Sequence, residues 1–413
     1  MSAVVPATKV GAARVRRAVR LALATPLAAL LLVAIRLARP LVRVRLGAMR
    51  SDRIGHFALE TELALCERET GIRPAPPRSL DLWYAPEPIA NRALYRMWRR
   101  VMRIWPNWLM VPLWRLNERI PGGAAHVVPQ TSSTCLDVHN LLDRCPPHLA
   151  FTEAEHARGR AGLAELGIGP SDRWVCVIVR DPAYTTAAFP GKDMSYHDYR
   201  NCDVEDYVEG AEAVAQRGYF VVRMGAVVAR PMRSAHPRVI DYATSGRRSE
   251  FMDLYLGAHC AFCVSDGLGY YAIPAAFRRP NAYVNYSPFF MFYSSRAADL
   301  GIAKTMVDAT TGRRLTLGEM GARGVAQLSA TRDFAERGVR VVSNTPGEIR
   351  ELMCEMVDRL EGTWRDVPGD DERQARFWAS YLEVIGRQRE ICHGEVRSRY
   401  GAAYLRAHPD WVA

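Results

Sequence analysis

The chain has 413 residues, of which 49% are hydrophobic and 24% are charged. This length predicts two or three domains. This composition is that of a folded globular protein and not that of a disordered chain or a coiled coil. The net charge of +11 favours an anionic partner, either a nucleic acid, an acidic membrane surface or a phosphorylated substrate. The nine cysteines follow no even disulfide framework and no export signal is recognised, so we expect a cytoplasmic protein.

The amino-terminal segment, residues 1–39, is predicted to associate with a membrane. Its apolar run at residues 21–35 would span about 22 Å as a helix, which is short of the ~30 Å hydrocarbon core of a bilayer. Arginines flank this run on both sides, as in an interfacial helix held by anionic lipid on the cytoplasmic leaflet. A buried core helix and a full membrane span are the two alternatives.

Residues 40–140 are predicted to form a small α/β domain. Segments with strand and helix periodicity alternate along it, at residues 40–49, 57–69, 80–84 and 91–102. Residues 121–147 are rich in Pro, Gly, Ser and Thr, which is typical of a connection between domains.

Residues 148–345 are predicted to form a larger α/β domain with a doubly wound parallel sheet. Six apolar segments are strand candidates, at residues 174–179, 219–223, 239–241, 261–264, 282–285 and 339–342. Helical patterns separate most of them, at residues 204–217, 250–258 and 270–277. Apolar strands that alternate with helices favour a parallel sheet. The remaining residues, 346–413, are predicted to be mostly helical, beginning with a capping box at Thr345 and Glu348.

The carboxyl ends of these predicted strands carry residues suited to a diphosphate. Open parallel sheets bind ligands at this edge, and arginine matches the oxygens of phosphate. A glycine loop ahead of a helix also directs backbone N–H groups at one point. The candidate donor- and phosphate-binding residues are Arg180, Arg200, Asn201, Arg223, Gly225, Asp241, Ser265, Asp266, Gly267 and Gly269. In the alternative interpretation, each arginine pairs with a carboxylate at the sheet edge, and the polar insertion at residues 181–201 is a structural cover.

His56 and Glu60 are the candidate catalytic residues. His56 follows the first predicted strand, and histidine is the side chain that most often acts as a general base, so it could deprotonate an acceptor hydroxyl there. Glu60 lies one helical turn further on the same face, where it could orient His56 or substitute for it. A capping or core histidine is the alternative.

Several signatures of other functions do not occur in the sequence. It has no P-loop, no dinucleotide-binding fingerprint and no G-x-S-x-G element. No acidic D-x-D motif stands at a strand end, so neither a metal ion nor another cofactor is expected. Basic residues cluster only at the amino end, and no recognition motif accompanies them, so nucleic acid is not an expected partner.

The chain resembles a bacterial family of GT-B-type glycosyltransferases associated with surface polysaccharide synthesis. The matching segments include SDRIGHFALETELAL, VIVRDPAY, YHDYRNCDVEDY, GYFVVRMGA and AHCAFCVSDGLG, and together they cover most of residues 40–290 in order. The stretch at residues 253–280 is also similar to the donor half of heptosyltransferases. The Gly-His after the first strand is similar to the glycine-histidine loop of lipid-linked N-acetylglucosamine transferases.

This resemblance implies two Rossmann-like domains of the GT-B type that face a cleft, preceded by the membrane-associating helix. The nucleotide-sugar would bind the C-terminal domain and the acceptor the N-terminal one. The implied activity is metal-independent transfer of a sugar to a lipid-linked polysaccharide or glycolipid, at the cytoplasmic face of the inner membrane. The alternative is a non-catalytic, membrane-tethered scaffold of a polysaccharide assembly complex.

Overall fold

The computed structural model describes residues 7–129, 135–188, 190–267 and 269–412, with side chains in the first helix from residue 19 onward. The chain divides into two compact units, unit 1 at Met1–Ser132 and unit 2 at Ser133–Ala413. The boundary falls inside the predicted connection at residues 121–147, of which residues 130–134 lie outside the described part. The predicted amino-terminal segment is part of unit 1, and the predicted helical tail is part of unit 2.

Unit 1 is built on a β-α-β core with parallel strands. Its elements are α1 (Ala7–Leu37), β1 (Arg43–Ala48), a π-helical turn (His56–Glu60), α2 (Thr61–Glu69), β2 (Ser79–Tyr84), α3 (Arg92–Val101) and α4 (Asn107–Arg119). Strands β1 and β2 pair in parallel, and single parallel bridges extend the sheet on each side, Leu46 with Val127 and Trp83 with Ile104. The predicted strands and helices of residues 40–102 are confirmed, while α4 is an additional helix that contains Pro112.

The two faces of the β1–β2 pair carry different chemistry. Val44, Leu46 and Leu82 pack against α1 and α4 in the apolar core of unit 1. On the other face, Arg45 pairs with Asp81 across the strands through two hydrogen bonds of 2.7 and 2.8 Å. Successive residues of a strand point to opposite faces, so the alternation of apolar and charged residues in β1 separates a core face from a polar face.

Unit 2 contains the larger sheet and the remaining helices. Its strands are β3 (Trp174–Ile178), β4 (Phe220–Met224), β5 (Val239–Ile240), β6 (Cys263–Ser265), β7 (Asn281–Tyr286), β8 (Leu300–Ala303), β9 (Thr305–Asp308), β10 (Val339–Val342) and β11 (Arg399–Tyr400). Its helices are α5 (Glu153–Glu165), α6 (Pro182–Ala188), α7 (Val208–Gln216), α8 (Glu250–His259), α9 (Ala272–Ala276), α10 (Leu317–Ala322), α11 (Thr331–Glu336), α12 (Pro346–Glu361), α13 (Asp370–Val384), α14 (Gln388–Cys392) and α15 (Ala402–Ala407).

Seven of these strands form one parallel sheet in the order β11-β8-β7-β6-β3-β4-β5. The chain builds outward from β3 through β4 to β5, and then returns to add β6 on the other side of β3. The direction of strand addition therefore reverses between β3 and β6, and such a switch point opens a crevice at the carboxyl ends of the two strands. The predicted parallel sheet is confirmed, with its first five strands placed to within two residues.

One sequence prediction for unit 2 is wrong, and a second is confirmed only in part. The strand at residues 339–342 does not join the parallel sheet, because β10 pairs antiparallel with β9 in a separate two-stranded sheet. The helix predicted at residues 270–277 is a 3-10 turn, Gly269–Tyr271, followed by the five-residue helix α9. So short a helix aligns few peptide dipoles, so the charge expected at its N-terminus is much reduced.

Candidate functional site

A hydrogen bond joins the residues that follow the two strands on either side of the switch point of unit 2. Arg180 follows β3 and Asp266 follows β6. The backbone N–H of Arg180 donates to Oδ2 of Asp266 over 2.6 Å. This bond fixes the backbone of Arg180 beside Asp266, at the crevice.

Three cations surround the Asp266 carboxylate. Burial raises the pKa of Asp266, whereas Arg180, Arg200 and Lys304 act to lower it. Burial also lowers the pKa of the Arg180 guanidinium, and the nearby charge of Arg200 lowers it further. With three positive charges and one carboxylate, this cationic cluster (Arg180, Arg200, Lys304 and Asp266) carries a net positive charge in a site largely removed from water.

The two arginines of the cationic cluster keep unused donors. Arg180 is 8% exposed, and the buried Nε atoms of both Arg180 and Arg200 have no hydrogen-bond partner within the described part of the chain. Buried donors without acceptors are costly, and a diphosphate would supply acceptors and opposite charge together.

The polar insertion brings Arg200 into this cluster. A 3-10 turn at Ser195–Arg200 ends at Asn201, and Arg200 Nη2 donates to the Gly267 carbonyl over 3.3 Å. Asn201 contributes its backbone, since its carbonyl accepts from Lys304 Nζ over 2.6 Å. The Asn201 side chain donates instead to Asp198 over 3.0 Å, so its amide group is used locally.

Lys304 is a site residue that sequence reasoning missed. It directly follows β8, at the same edge of the sheet as Arg180 and Asp266, and it is 5% exposed. Its ammonium group also donates to Ser343 Oγ over 3.3 Å. The available signal was a short apolar segment, LGIA, which is followed directly by one of the three lysines in the chain.

The glycine loop offers fewer donors than the sequence predicted. The Gly267 N–H donates to the buried Ser265 Oγ over 3.2 Å, so this amide is already used. Gly267 has φ of +82°, and a Cβ there would lie 2.8 Å from the Tyr286 ring, which explains the glycine without a ligand. Gly269 begins the 3-10 turn, and Leu268 lies outside the described residues.

Arg223 and Asp241 form an ion pair with each other, which favours a structural role over their predicted role in phosphate binding. Arg223 is 1% exposed; its Nη1 donates to Asp241 over 3.2 Å and its Nη2 to the Arg230 carbonyl over 3.2 Å. Arg223 stands one residue before the end of β4, in register with Val177, so its side chain stays within the fold. Gly225 is required by packing, because a Cβ would lie 2.5 Å from Val228.

Asp241 holds the loop between β4 and β5. Its Oδ2 accepts from the Met232 N–H over 2.9 Å and from Thr244 Oγ1 over 2.8 Å. Together with Arg223, these contacts account for the carboxylate, so the alternative interpretation of a strand-end arginine paired with a carboxylate holds for this pair.

Unit 1 contains a pocket of about 250 Å³ on the polar face of the β1–β2 pair. Its lining includes apolar residues and nine charged or titratable ones, which are Arg45, Arg50, His56, Glu60, Glu67, Arg68, Arg73, Asp81 and Arg103. Five of these are arginines and three are carboxylates, so the lining is positive even after the ion pairs Arg45–Asp81 and Arg73–Glu67 are made.

His56 and Glu60 contact each other inside this pocket. His56 Nδ1 lies 2.8 Å from Glu60 Oε1, the contact that their spacing of one turn predicts. The turn is π-helical, a geometry that is frequent at functional sites, and the Trp98 indole donates to the Phe57 carbonyl within it over 3.0 Å.

Arg50 fixes the tautomer of His56. Its Nη2 lies 3.3 Å from His56 Nε2, and its Nη1 donates to Glu60 Oε1 over 3.0 Å. Since arginine only donates, Nε2 is an acceptor, and the proton of a neutral His56 therefore lies on Nδ1 facing Glu60. The Arg50 side chain is 39% exposed, so a substrate hydroxyl could replace it at Nε2.

No family model matches the chain, and no curated protein is similar to it at a significant level. Among solved structures, it is similar to a glycosyl transferase family 9 protein from Veillonella parvula, with 12% identity and a TM-score of 0.41 over 64% of this chain and 86% of that one. It is also similar to the E. coli ADP-heptose LPS heptosyltransferase II, with 15% identity and a TM-score of 0.32 over 59% of this chain and 86% of that one.

A third similar structure is the E. coli heptosyltransferase WaaC with ADP, with 13% identity and a TM-score of 0.31 over 71% of this chain and 98% of that one. TM-scores below 0.5 at such identities do not establish a common fold.

Proposed function

We propose that the chain is a glycosyltransferase that moves a sugar from a nucleotide-sugar to a lipid-linked polysaccharide or glycolipid acceptor. The observation that carries this proposal is the cationic cluster at the switch point of unit 2, where the charges of Arg180, Arg200 and Lys304 act on one buried carboxylate. Nucleotides bind open parallel sheets at this position. A diphosphate has the charge and the acceptor oxygens that the cluster can satisfy.

In the proposed reaction, the acceptor hydroxyl forms a bond to the anomeric carbon of the sugar, and the bond from that carbon to the diphosphate oxygen breaks. The electron pair of the broken bond stays on the nucleoside diphosphate. Arg180, Arg200 and Lys304 would stabilise this developing charge, because fixed cations in a site that excludes water lower the barrier. We assign no metal to this step, in keeping with the lack of a D-x-D motif in the sequence.

His56 would take the proton of the acceptor hydroxyl through Nε2. Glu60, at 2.8 Å from Nδ1, would hold the ring in the required tautomer and stabilise the imidazolium that forms. The arginines that line the same pocket would attract an acceptor that carries phosphate. We further propose that the enzyme works at the cytoplasmic face of the inner membrane, where a lipid-linked acceptor would be found.

A transfer assay tests this proposal. The chain is incubated with UDP-, GDP-, ADP- and CDP-sugars, labelled in the sugar, and with a detergent-solubilised bacterial lipid fraction. We expect label in the lipid and an equivalent amount of released nucleoside diphosphate, in the presence of a metal chelator. His56→Gln should lower the rate about 10²- to 10⁴-fold, whereas His139→Gln, at an exposed position, should leave it unchanged.

A non-catalytic scaffold is the second candidate, and one observation favours it: among the residues that the structure describes, the sheet of unit 1 has only two full strands. Nucleotide binding with no transfer to any acceptor would support the scaffold. Transfer at equal rates by the wild type and by His56→Gln would remove His56 from the mechanism.

A further inference from the structure

Helix α1 has two apolar faces, and only one of them is covered. The inner face carries Ala24, Ala28, Leu32 and Ile35, which are at most 6% exposed. Their spacing of three or four residues places them on one stripe of the helix. Ala28, Leu32 and Ile35 belong to the core of unit 1, where Met110 and residues of β1 and β2 contribute the opposing surface.

The outer face of α1 is equally apolar and is exposed. Leu23 is 75% exposed, Leu30 70% and Leu37 76%, and their spacing of seven residues is two helical turns. Val19 and Leu27 lie on the same stripe and are about half exposed. Helical periodicity places this stripe on the side opposite Leu32, so the packing inside unit 1 does not cover it.

The charge of the same region shows what kind of partner fits this face. The first 51 residues contain ten of the 55 Lys and Arg residues and none of the 44 Asp and Glu residues, since the first acidic residue is Asp52. The net charge of +11 therefore resides almost entirely in this region. An apolar stripe bordered by cations complements an anionic lipid surface; a nucleic acid would leave the leucines uncovered.

We infer that unit 1 binds an anionic bilayer through the outer face of α1, with the helix lying in the plane of the membrane. The segment Val19–Leu37 is long and apolar enough to cross a membrane by length and composition. However, its inner face is part of the core, and Arg36 at its end donates to Asn117 Oδ1 over 2.8 Å. A crossing α1 would have to leave that core, or else take the charged side chains of α4 into the hydrocarbon.

This inference adds a geometry to the membrane location proposed above, and it does not depend on sugar transfer. If the protein binds vesicles but transfers no sugar, the proposed enzyme is refuted and the docking surface is supported. If it transfers sugar to a soluble acceptor but does not bind vesicles, the enzyme is supported and the docking surface is refuted.

Vesicle sedimentation of the full chain tests the docking surface. We expect the chain to sediment with vesicles of phosphatidylcholine and phosphatidylglycerol, and more weakly with phosphatidylcholine alone or at high salt. The triple variant Leu23→Gln/Leu30→Gln/Leu37→Gln should bind the anionic vesicles at least tenfold less, with an unchanged melting temperature. The matched control Leu360→Gln/Val367→Gln/Ile391→Gln changes three exposed apolar residues of unit 2 and should bind as the wild type does.

Two results would overturn the inference: equal binding by the triple variant and the wild type, or no vesicle binding at all. The in-plane geometry has its own test, in which protease is added outside vesicles that carry the chain with a tag at each end. Cleavage of both tags is expected, and protection of the amino-terminal tag would establish a span instead. If light scattering shows a dimer that the triple variant converts to a monomer, the outer face is a contact between copies and the inference fails.

Discussion

The backbone N–H of Arg180 donates to the carboxylate of Asp266 over 2.6 Å, across the point where the order of the strands reverses. The two residues are 86 positions apart in the sequence, and only the return of the chain from β5 to β6 makes them neighbours. The contact keeps a carboxylate beneath three cations, which leaves the cluster with a moderate positive charge. When no ligand is bound, the carboxylate compensates part of the buried positive charge, and a bound dianion could compensate the rest.

The Arg223–Asp241 pair is predicted to stabilise the fold and not to bind the nucleotide. Arg223→Ala would leave Asp241 without its cation, and breaking a buried ion pair costs about 3–5 kcal/mol. Arg217→Ala is the matched control, because the Arg217–Asp358 pair is 35% and 29% exposed and is expected to contribute about 1 kcal/mol or less. Urea unfolding measures both. A loss at Arg223 no larger than that at Arg217 would show that the pair is not structural.

Gly267 is predicted to be required for packing as well as for its backbone conformation. Gly246 is the matched control, since its φ of +76° is similar but a Cβ there would meet nothing within 4 Å. Both alanine variants bear the cost of a left-handed residue, about 1 kcal/mol. Gly267→Ala should lose about 1–3 kcal/mol more in the free energy of unfolding, because its Cβ would press on the Tyr286 ring. Equal losses would contradict this explanation of the glycine.

Asp253 is predicted to make the stability of the fold depend on pH. Burial raises its pKa from 3.8 to about 6, although Arg248 acts in the opposite direction. The native state therefore retains a proton that the unfolded chain releases near pH 4, and the stabilisation is lost as the pH rises through about 6. Asp253→Asn removes this titration, so the fall in unfolding free energy from pH 5 to pH 8 should be about 1 kcal/mol smaller than in the wild type. An identical fall in both proteins would refute the assignment.

The core of unit 2 could be predicted because its central strands are short apolar runs that end at polar or glycine residues. Val175, Val177 and Val264 are fully buried, as expected for strands covered on both faces. Strand β11 gave no local signal, since it consists of Arg399 and Tyr400 and joins the sheet beside β8 through a parallel pairing with a distant segment.

The candidate site was predictable in part for the same reason. Arg180 and Asp266 follow well-marked strands, so their position at the edge of the sheet was visible in the sequence. Arg223 was assigned to the ligand because its strand was placed one residue too early, which put Arg223 at the last position of the strand. Lys304 was missed because β8 was not recognised, and the pairing of Arg223 with Asp241 depends on a two-residue strand, β5, whose register only the fold reveals.

Calorimetry of nucleoside diphosphate binding tests most directly whether the switch point of unit 2 is the donor site. We predict that at least one of ADP, UDP, GDP and CDP binds the full chain, and that Arg200→Gln weakens its binding about tenfold to a hundredfold, as expected for the loss of hydrogen bonds to a charged group. Arg340→Gln, at an exposed position of β10, should bind as the wild type does. Failure of all four nucleotides to bind, or equal affinity in Arg200→Gln and the wild type, would contradict the assignment of the switch point as the donor site.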